Sequence, residues 1–111
     1  MAYNSNKSGA SVVRTLDNVL VDRINHGTSD TTFQLTPNKY HVWGSVSALN
    51  LTLQSIDDTL YCEYMFEFVC NGTSLSLPQN IVWGNGNTPT LTDGKTYQIS
   101  IVNNIALYCE S

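Results

Sequence analysis

Apolar residues in this chain recur at every second position. Tyr97, Ile99 and Ile101 alternate with Gln98, Ser100 and Val102, and Leu49, Leu51 and Leu53 alternate with Asn50, Thr52 and Gln54. Across residues 60–70 the even positions Cys62, Tyr64, Phe66, Phe68 and Cys70 form one apolar face, while Tyr61, Glu63, Met65, Glu67 and Val69 form a mixed one. A period of two sends side chains alternately to the two faces of an extended strand, so each run predicts a strand with a buried face. No segment sustains the 3.6-residue period of an amphipathic helix, and the prediction is an all-β chain.

The residues between these runs are turn formers. Strands are predicted at 17–21, 31–35, 40–43 and 81–83, with turns at Asn25-His26-Gly27 and Pro37-Asn38 and a loop at 84–93 marked by Asn85, Asn87 and Pro89. Asn71-Gly72 carries the signal of a type I′ turn and is expected to close the 60–70 strand. Asn103-Asn104 separates two apolar runs, and asparagine tolerates the positive φ that a two-residue hairpin needs. Pairing across that turn sets Ile101 opposite Ala106 and Ile99 opposite Tyr108 on one face, with Val102/Ile105 and Ser100/Leu107 on the other. The last strand is therefore apolar on both faces. One face fills the domain's own core; the other, with Ile105 and Leu107, needs either a second sheet or a neighbouring subunit over it. Turn signals at intervals of roughly 8–12 residues predict a small antiparallel β-sandwich, jelly-roll-like.

At 111 residues the chain is expected to form one domain, with a polar N-terminal arm over 1–14 and the β-sandwich over 15–111. Charged residues are only 13%, against roughly 25% in ordinary soluble domains. Asn, Thr and Ser together make up 35 of 111 residues, so the surface hydrogen-bonds without a strong field. The net charge of −4 and the scattered Lys7, Arg14, Arg23, Lys39 and Lys95 argue against nucleic acid, which needs clustered cations. No apolar run approaches the roughly 18 residues of a helical membrane span, which argues against a membrane partner, and the start lacks the apolar core of a secretion signal. Cys62 and Cys70, eight residues apart in one predicted strand, lie roughly 26 Å apart, too far to bridge. The three cysteines are expected to be buried reduced thiols, as suits a reducing cytoplasm.

The remaining polar residues form no familiar catalytic pattern. His26 and His41 fall in a turn and a strand, and neither a Gly-x-Ser-x-Gly nor a His-Glu-x-x-His motif occurs. Glu63 and Glu67 share a strand face about 13 Å apart, wider than a glycosidase pair, and are expected to be solvated. Asp57-Asp58 reads as a turn; calcium would need six or more oxygen ligands. Asn6, Asn50 and Asn71 head glycosylation triplets that mean little without a secretion signal. No cofactor, metal or catalytic residue is expected, and the chain reads as a non-enzyme. Trp43 and Trp83 have two readings: core or subunit-contact anchors within strands, or surface platforms on which a glycan stacks.

Taken in order, Pro37-Asn-Lys-Tyr-His-Val-Trp-Gly44, Leu49-x-Leu-x-Leu53, Glu63-Tyr-Met-Phe-Glu-Phe68, Leu75-x-Leu-Pro78 and the closing 81–109 segment resemble the small β domains of bacteriophage fibre and virion-surface proteins. The pattern often carries glycine where this chain has Asn103-Asn104. The resemblance implies a structural virion protein: a head fibre, or a capsid or tail decoration subunit that aids host-surface adhesion. It implies a homotrimer that contacts other virion proteins of the capsid or tail, assembled in the bacterial cytoplasm. On that reading Ile105 and Leu107 are the subunit interface, and Ala2, Tyr3, Asn4 and Ser5 belong to a particle-anchoring arm. The alternative is a carbohydrate- or receptor-binding module of a tail fibre, with Trp43 and Trp83 as glycan contacts. For the arm, simple terminal disorder competes with anchoring.

Overall fold

The computed structural model describes residues 21–111, which contain seven strands and no helix. They are β1 Asp22–Asn25, β2 Thr32–Leu35, β3 Lys39–Leu53, β4 Glu63–Ser76, β5 Val82–Trp83, β6 Thr96–Val102 and β7 Ile105–Glu110. All belong to one sheet with the order β1-β3-β4-β6-β7-β5, and β2 pairs farther along the β3 edge that holds β1. The predicted arm and most of the predicted 17–21 strand lie outside the described residues.

The chain is all-β as predicted, but the sheet is mixed. Only β4–β6 and β6–β7 are antiparallel; β1–β3, β2–β3, β3–β4 and β5–β7 are parallel. Sequence signals report hairpins, which are local, whereas parallel pairing joins segments with no turn between them.

The β3–β4 pairing dictates the shape. At 15 residues, β3 would run roughly 45–50 Å if straight, yet the connection from Leu53 to Glu63 reaches at most about 36 Å. A straight parallel pair is therefore excluded. The strands bend at two register shifts, between Val42 and Ser45 and between Val46 and Ala48. The Tyr64 hydroxyl, near the start of β4, donates to the Gln54 carbonyl just after β3, 2.5 Å away. Each shift also flips which parity faces inward. Val42 is buried as well, but His41 and Trp43, then Val46, then Leu49 and Leu51 trace one core face along a strand that bends twice. Asn71-Gly72, expected to end β4, lies inside it instead. Gly72 takes φ 62° and its N–H donates to Asp93 Oδ1 at 2.6 Å, while Ser74–Ser76 continue alongside Ala48–Asn50.

The inward face collects Leu35, Trp43, Val46, Leu49, Leu51, Tyr64, Phe66, Phe68, Cys70, Tyr97, Ile99, Ile101 and Ala106 into one core. Phe66, Phe68 and Tyr97 stack in succession across β4 and β6, with centroids 6.2 and 5.6 Å apart. The β6–β7 hairpin has the predicted register, Ile101↔Ala106 and Ile99↔Tyr108. Asn103 and Asn104 both adopt positive φ, 52° and 63°, as a type I′ turn demands.

Candidate functional site: two clefts beside the 77–81 segment

After β4 the chain crosses the end of the sheet through residues 77–81, and a cleft opens on each side of this segment. The first, about 550 Å³, is lined by Thr73, Leu75, Leu77, Pro78, Gln79, Ile81, Trp83, Thr88, Pro89 and Leu91, none of them charged. Trp83 is half-buried, its ring edge-to-face with Tyr108 at 6.0 Å. The far wall is the 84–93 loop, which the buried Tyr97 hydroxyl holds. It accepts from the Thr92 N–H at 2.7 Å and lies 3.2 Å from Glu110 Oε2. Trp83, read from the sequence either as a core or subunit-contact anchor or as a glycan contact, thus lines a formed, uncharged cleft.

The second cleft, about 470 Å³, is bounded by the β3–β4 connection, Pro78, Asn80 and the hairpin turn Asn103-Asn104. Its outer lip is Leu60 and Tyr61, which are 61% and 80% exposed. The lip is fixed by the predicted Asp57-Asp58 turn. Asp57 Oδ1 accepts from the Thr59 N–H at 2.9 Å and its hydroxyl at 2.8 Å, and the Leu60 N–H donates to the Asp57 carbonyl at 2.9 Å. The two Thr59 bonds, the backbone N–H first and then the hydroxyl, hold the exposed Asp57 carboxyl below its ordinary pKa.

Trp43 is not available as a glycan platform. It is buried, its indole N–H donates to the Asp30 carbonyl at 2.6 Å, and its ring stacks on His26 at 4.2 Å. The inward parity of His41 and Trp43 on β3 decides this. Ile105 remains 44% exposed and Leu107 half-buried on the outer hairpin face, and with Ser100, Val102 and Asn103 they line a shallow, largely apolar hollow. Val82, 57% exposed, pairs with Ile105 and extends the patch across β5. Ala2, Tyr3, Asn4 and Ser5 lie outside the described residues.

Two polar constellations went unseen in the sequence. In the first, Asp30 Oδ2 meets His26 Nδ1 at 2.9 Å, His26 Nε2 meets His41 Nδ1 at 2.9 Å, and His41 Nε2 meets the Thr36 hydroxyl at 2.9 Å. The Thr36 backbone N–H also donates to His41 Nε2, at 3.2 Å. A backbone N–H can only donate, so Nε2 is the unprotonated nitrogen and every other proton follows. His41 Nδ1–H donates to His26 Nε2, and His26 Nδ1–H donates to Asp30. Burial, then the neighbouring His26, push the His41 pKa down to about 4. The order resembles an acid–base relay ending on a hydroxyl, but Thr36 lines neither cleft nor the hairpin hollow. All four ring nitrogens are engaged within the array, and no cluster of three or more potential ligands suits a metal among the described residues.

The second constellation corrects the reading of Glu63 and Glu67 as solvated. Glu63 is 5% exposed, accepts from the Ser100 hydroxyl, and is shifted to a higher pKa by desolvation. Glu67 is half-buried and accepts from the Tyr40 hydroxyl at 2.7 Å; Gln98 Nε2 donates to that hydroxyl at 3.0 Å. Burial first, then Glu67, raise the Tyr40 pKa. The cross-strand neighbours responsible are set by pairing, which the period-two pattern alone does not specify. No protein-family model, curated protein or solved structure matches the chain.

Proposed function

We propose that the protein is a structural subunit displayed on a bacteriophage particle, a head fibre or a capsid or tail decoration protein. In this reading it assembles as a homo-oligomer, most simply a trimer, through the outer face of the β6–β7 hairpin. The observation that carries it is the apolar patch of Val82, Val102, Ile105 and Leu107 on a domain whose other large apolar side chains are mostly inside. The ordered motifs that resemble phage fibre domains and the uncharged polar surface support the virion setting. The sandwich or jelly-roll form belongs to the same reading and is supported by the two register shifts along β3 and β4 and by the single core.

Magnitude decides how much surface the interface needs. Ile105 and Leu107 are already partly covered, so burying their remainder gains roughly 2–3 kcal/mol per subunit, short of the cost of association. Val82 and Val102 must join them. Replacing Ile105 and Leu107 together with Asp should leave a folded monomer, because each buried carboxylate would lack a partner. Sedimentation of the wild type at micromolar concentration tests the assembly, and a clean monomer would refute it. Absence of the chain from purified particles would refute the virion setting.

A second reading, a carbohydrate- or receptor-binding module, is favoured by the uncharged cleft at Trp83. Quenching of its fluorescence by a neutral oligosaccharide, lost in Trp83→Phe, is the corresponding test.

A further inference from the structure

Four large apolar side chains stand exposed among the described residues: Leu60, Tyr61, Val82 and Ile105. Val82 and Ile105 are cross-strand partners on the hairpin patch. Leu60 and Tyr61 belong to no strand and to no such patch. They line the second cleft directly after the Asp57–Thr59 turn, whose last bond runs from the Leu60 N–H to the Asp57 carbonyl. A tyrosine left 80% exposed beside a cleft gives up burial energy that most large apolar side chains of the described residues gain.

The rest of the lining is amide-rich: Asn80, Asn103, Asn104 and Gln54 belong to it, and all four residues are exposed. The backbone carbonyl of Asn104 is occupied by the Val82 N–H at 2.9 Å, which ties the turn to β5. The positive φ of Asn103 and Asn104 fixes the backbone from which these amides project. Each amide offers a donor and an acceptor, the pairing that a hydroxyl or an acetamido group complements. Among the described residues Asp58 is the only charged side chain on the lining, and no cation is part of it. An anionic ligand would meet no counter-charge there. The volume of about 470 Å³ falls in the range of small-ligand sites.

We infer that the cleft lined by Tyr61 and by Asn80, Asn103 and Asn104 is a binding site for a neutral saccharide. The apolar face of one pyranose ring lies on the Tyr61 ring, with Leu60 beside it. The equatorial hydroxyls and any acetamido group on the opposite edge bond to the amides. Dispersion and burial of ring C–H groups on the aromatic face supply the affinity; the amides fix orientation. The site is distinct from the Trp83 cleft and does not rest on the virion reading.

The test uses the purified full chain with chitotriose, maltotriose and lactose as neutral probes and 3′-sialyllactose as the anionic one, followed by NMR titration. At least one neutral probe should shift the Asn80, Asn103 and Asn104 side-chain amide signals at millimolar concentration. Tyr61→Ala should weaken that binding tenfold or more. Asn80→Ala, away from the hairpin turn, should weaken it several-fold, and both variants should keep the wild-type melting temperature. Binding by none of the neutral probes would overturn the proposal. So would equal or tighter binding of the sialylated probe, or binding abolished by Trp83→Ala but untouched by Tyr61→Ala. Failure on particles or in sedimentation bears on the virion reading alone, since the titration needs neither.

Discussion

Acidification should unlatch the His26–His41 array, and the structure sets both sign and size. His41 donates from Nδ1 to His26 and accepts at Nε2 from Thr36, so a proton arriving at Nε2 would face the Thr36 N–H and break that bond. The groups that face the pair are Asp30 from the β1–β2 segment, Thr36 before β3, Lys39 on β3, and the rings of Phe33 and Trp43. Unfolded, His41 titrates at 6.5; folded, at about 4. Above 6.5 neither state carries the extra proton. Between 6.5 and 4 the unfolded chain binds a proton that the folded one refuses, so stability present at neutral pH is lost as the pH falls through that window. Each pH unit crossed there costs about 1.4 kcal/mol at most, and the loss approaches roughly 2–3 kcal/mol by pH 4. Glu63 works the other way, because its raised folded pKa adds stability on acidification above its unfolded value of 4.5. The two effects overlap above pH 4.5, so the His41 signal is read as the difference between wild type and a His41 variant that keeps Glu63. Urea unfolding followed by the fluorescence of Trp43, which stacks on His26, reads it directly. In His41→Gln an amide oxygen replaces Nε2 as acceptor and an NH₂ replaces Nδ1–H, so the loss of stability on acidification between pH 7 and 5 should be smaller than in wild type by the His41 contribution. Parallel pH curves for wild type and variant would refute the assignment, as would an NMR titration midpoint for His41 above 6.

Three further perturbations probe the frame. Asn104→Val places a β-branched residue at φ 63° and should cost about 1–2 kcal/mol in thermal unfolding, whereas Asn104→Gly should be neutral or stabilising. A Cβ at Gly84 would overlap Leu107 Cδ2, the end of a half-buried side chain that can turn aside; Gly84→Ala should therefore cost no more than about 1 kcal/mol, and nothing when Leu107→Ala clears the space. Tyr97→Phe removes the hydroxyl that holds the 84–93 loop and should cost about 1–2 kcal/mol, with faster amide exchange at Thr92.

What the sequence determined was local or one-dimensional. The period of two made the chain all-β. Asn103-Asn104 specified both a turn and, by counting outward, the register of the closing hairpin, because a two-residue type I′ turn permits only one pairing. Ile105 and Leu107 were assigned to the outer face by the same count. The tertiary structure decided everything that depends on distant neighbours. Parallel pairing of β3 with β4 has no turn to announce it; Trp43 is hidden by the β1–β2 segment, whose His26 ring and Asp30 carbonyl it meets, whereas Trp83 on β5 stands at a cleft. Asn71-Gly72 is a turn signal by composition, but cross-strand partners on β3 and the Asp93 carboxylate convert it into an irregularity within β4. His26 and His41, 15 positions apart, meet only because parallel pairing lays Ile24 beside His41 and lets the chain run on past β1. Glu63 meets Ser100 across 37 positions because β6 pairs antiparallel with β4, setting Glu63 opposite Val102, two residues from Ser100. Periodicity states which face a side chain takes; it carries no information about which strand lies alongside, and burial of polar groups is settled by that neighbour.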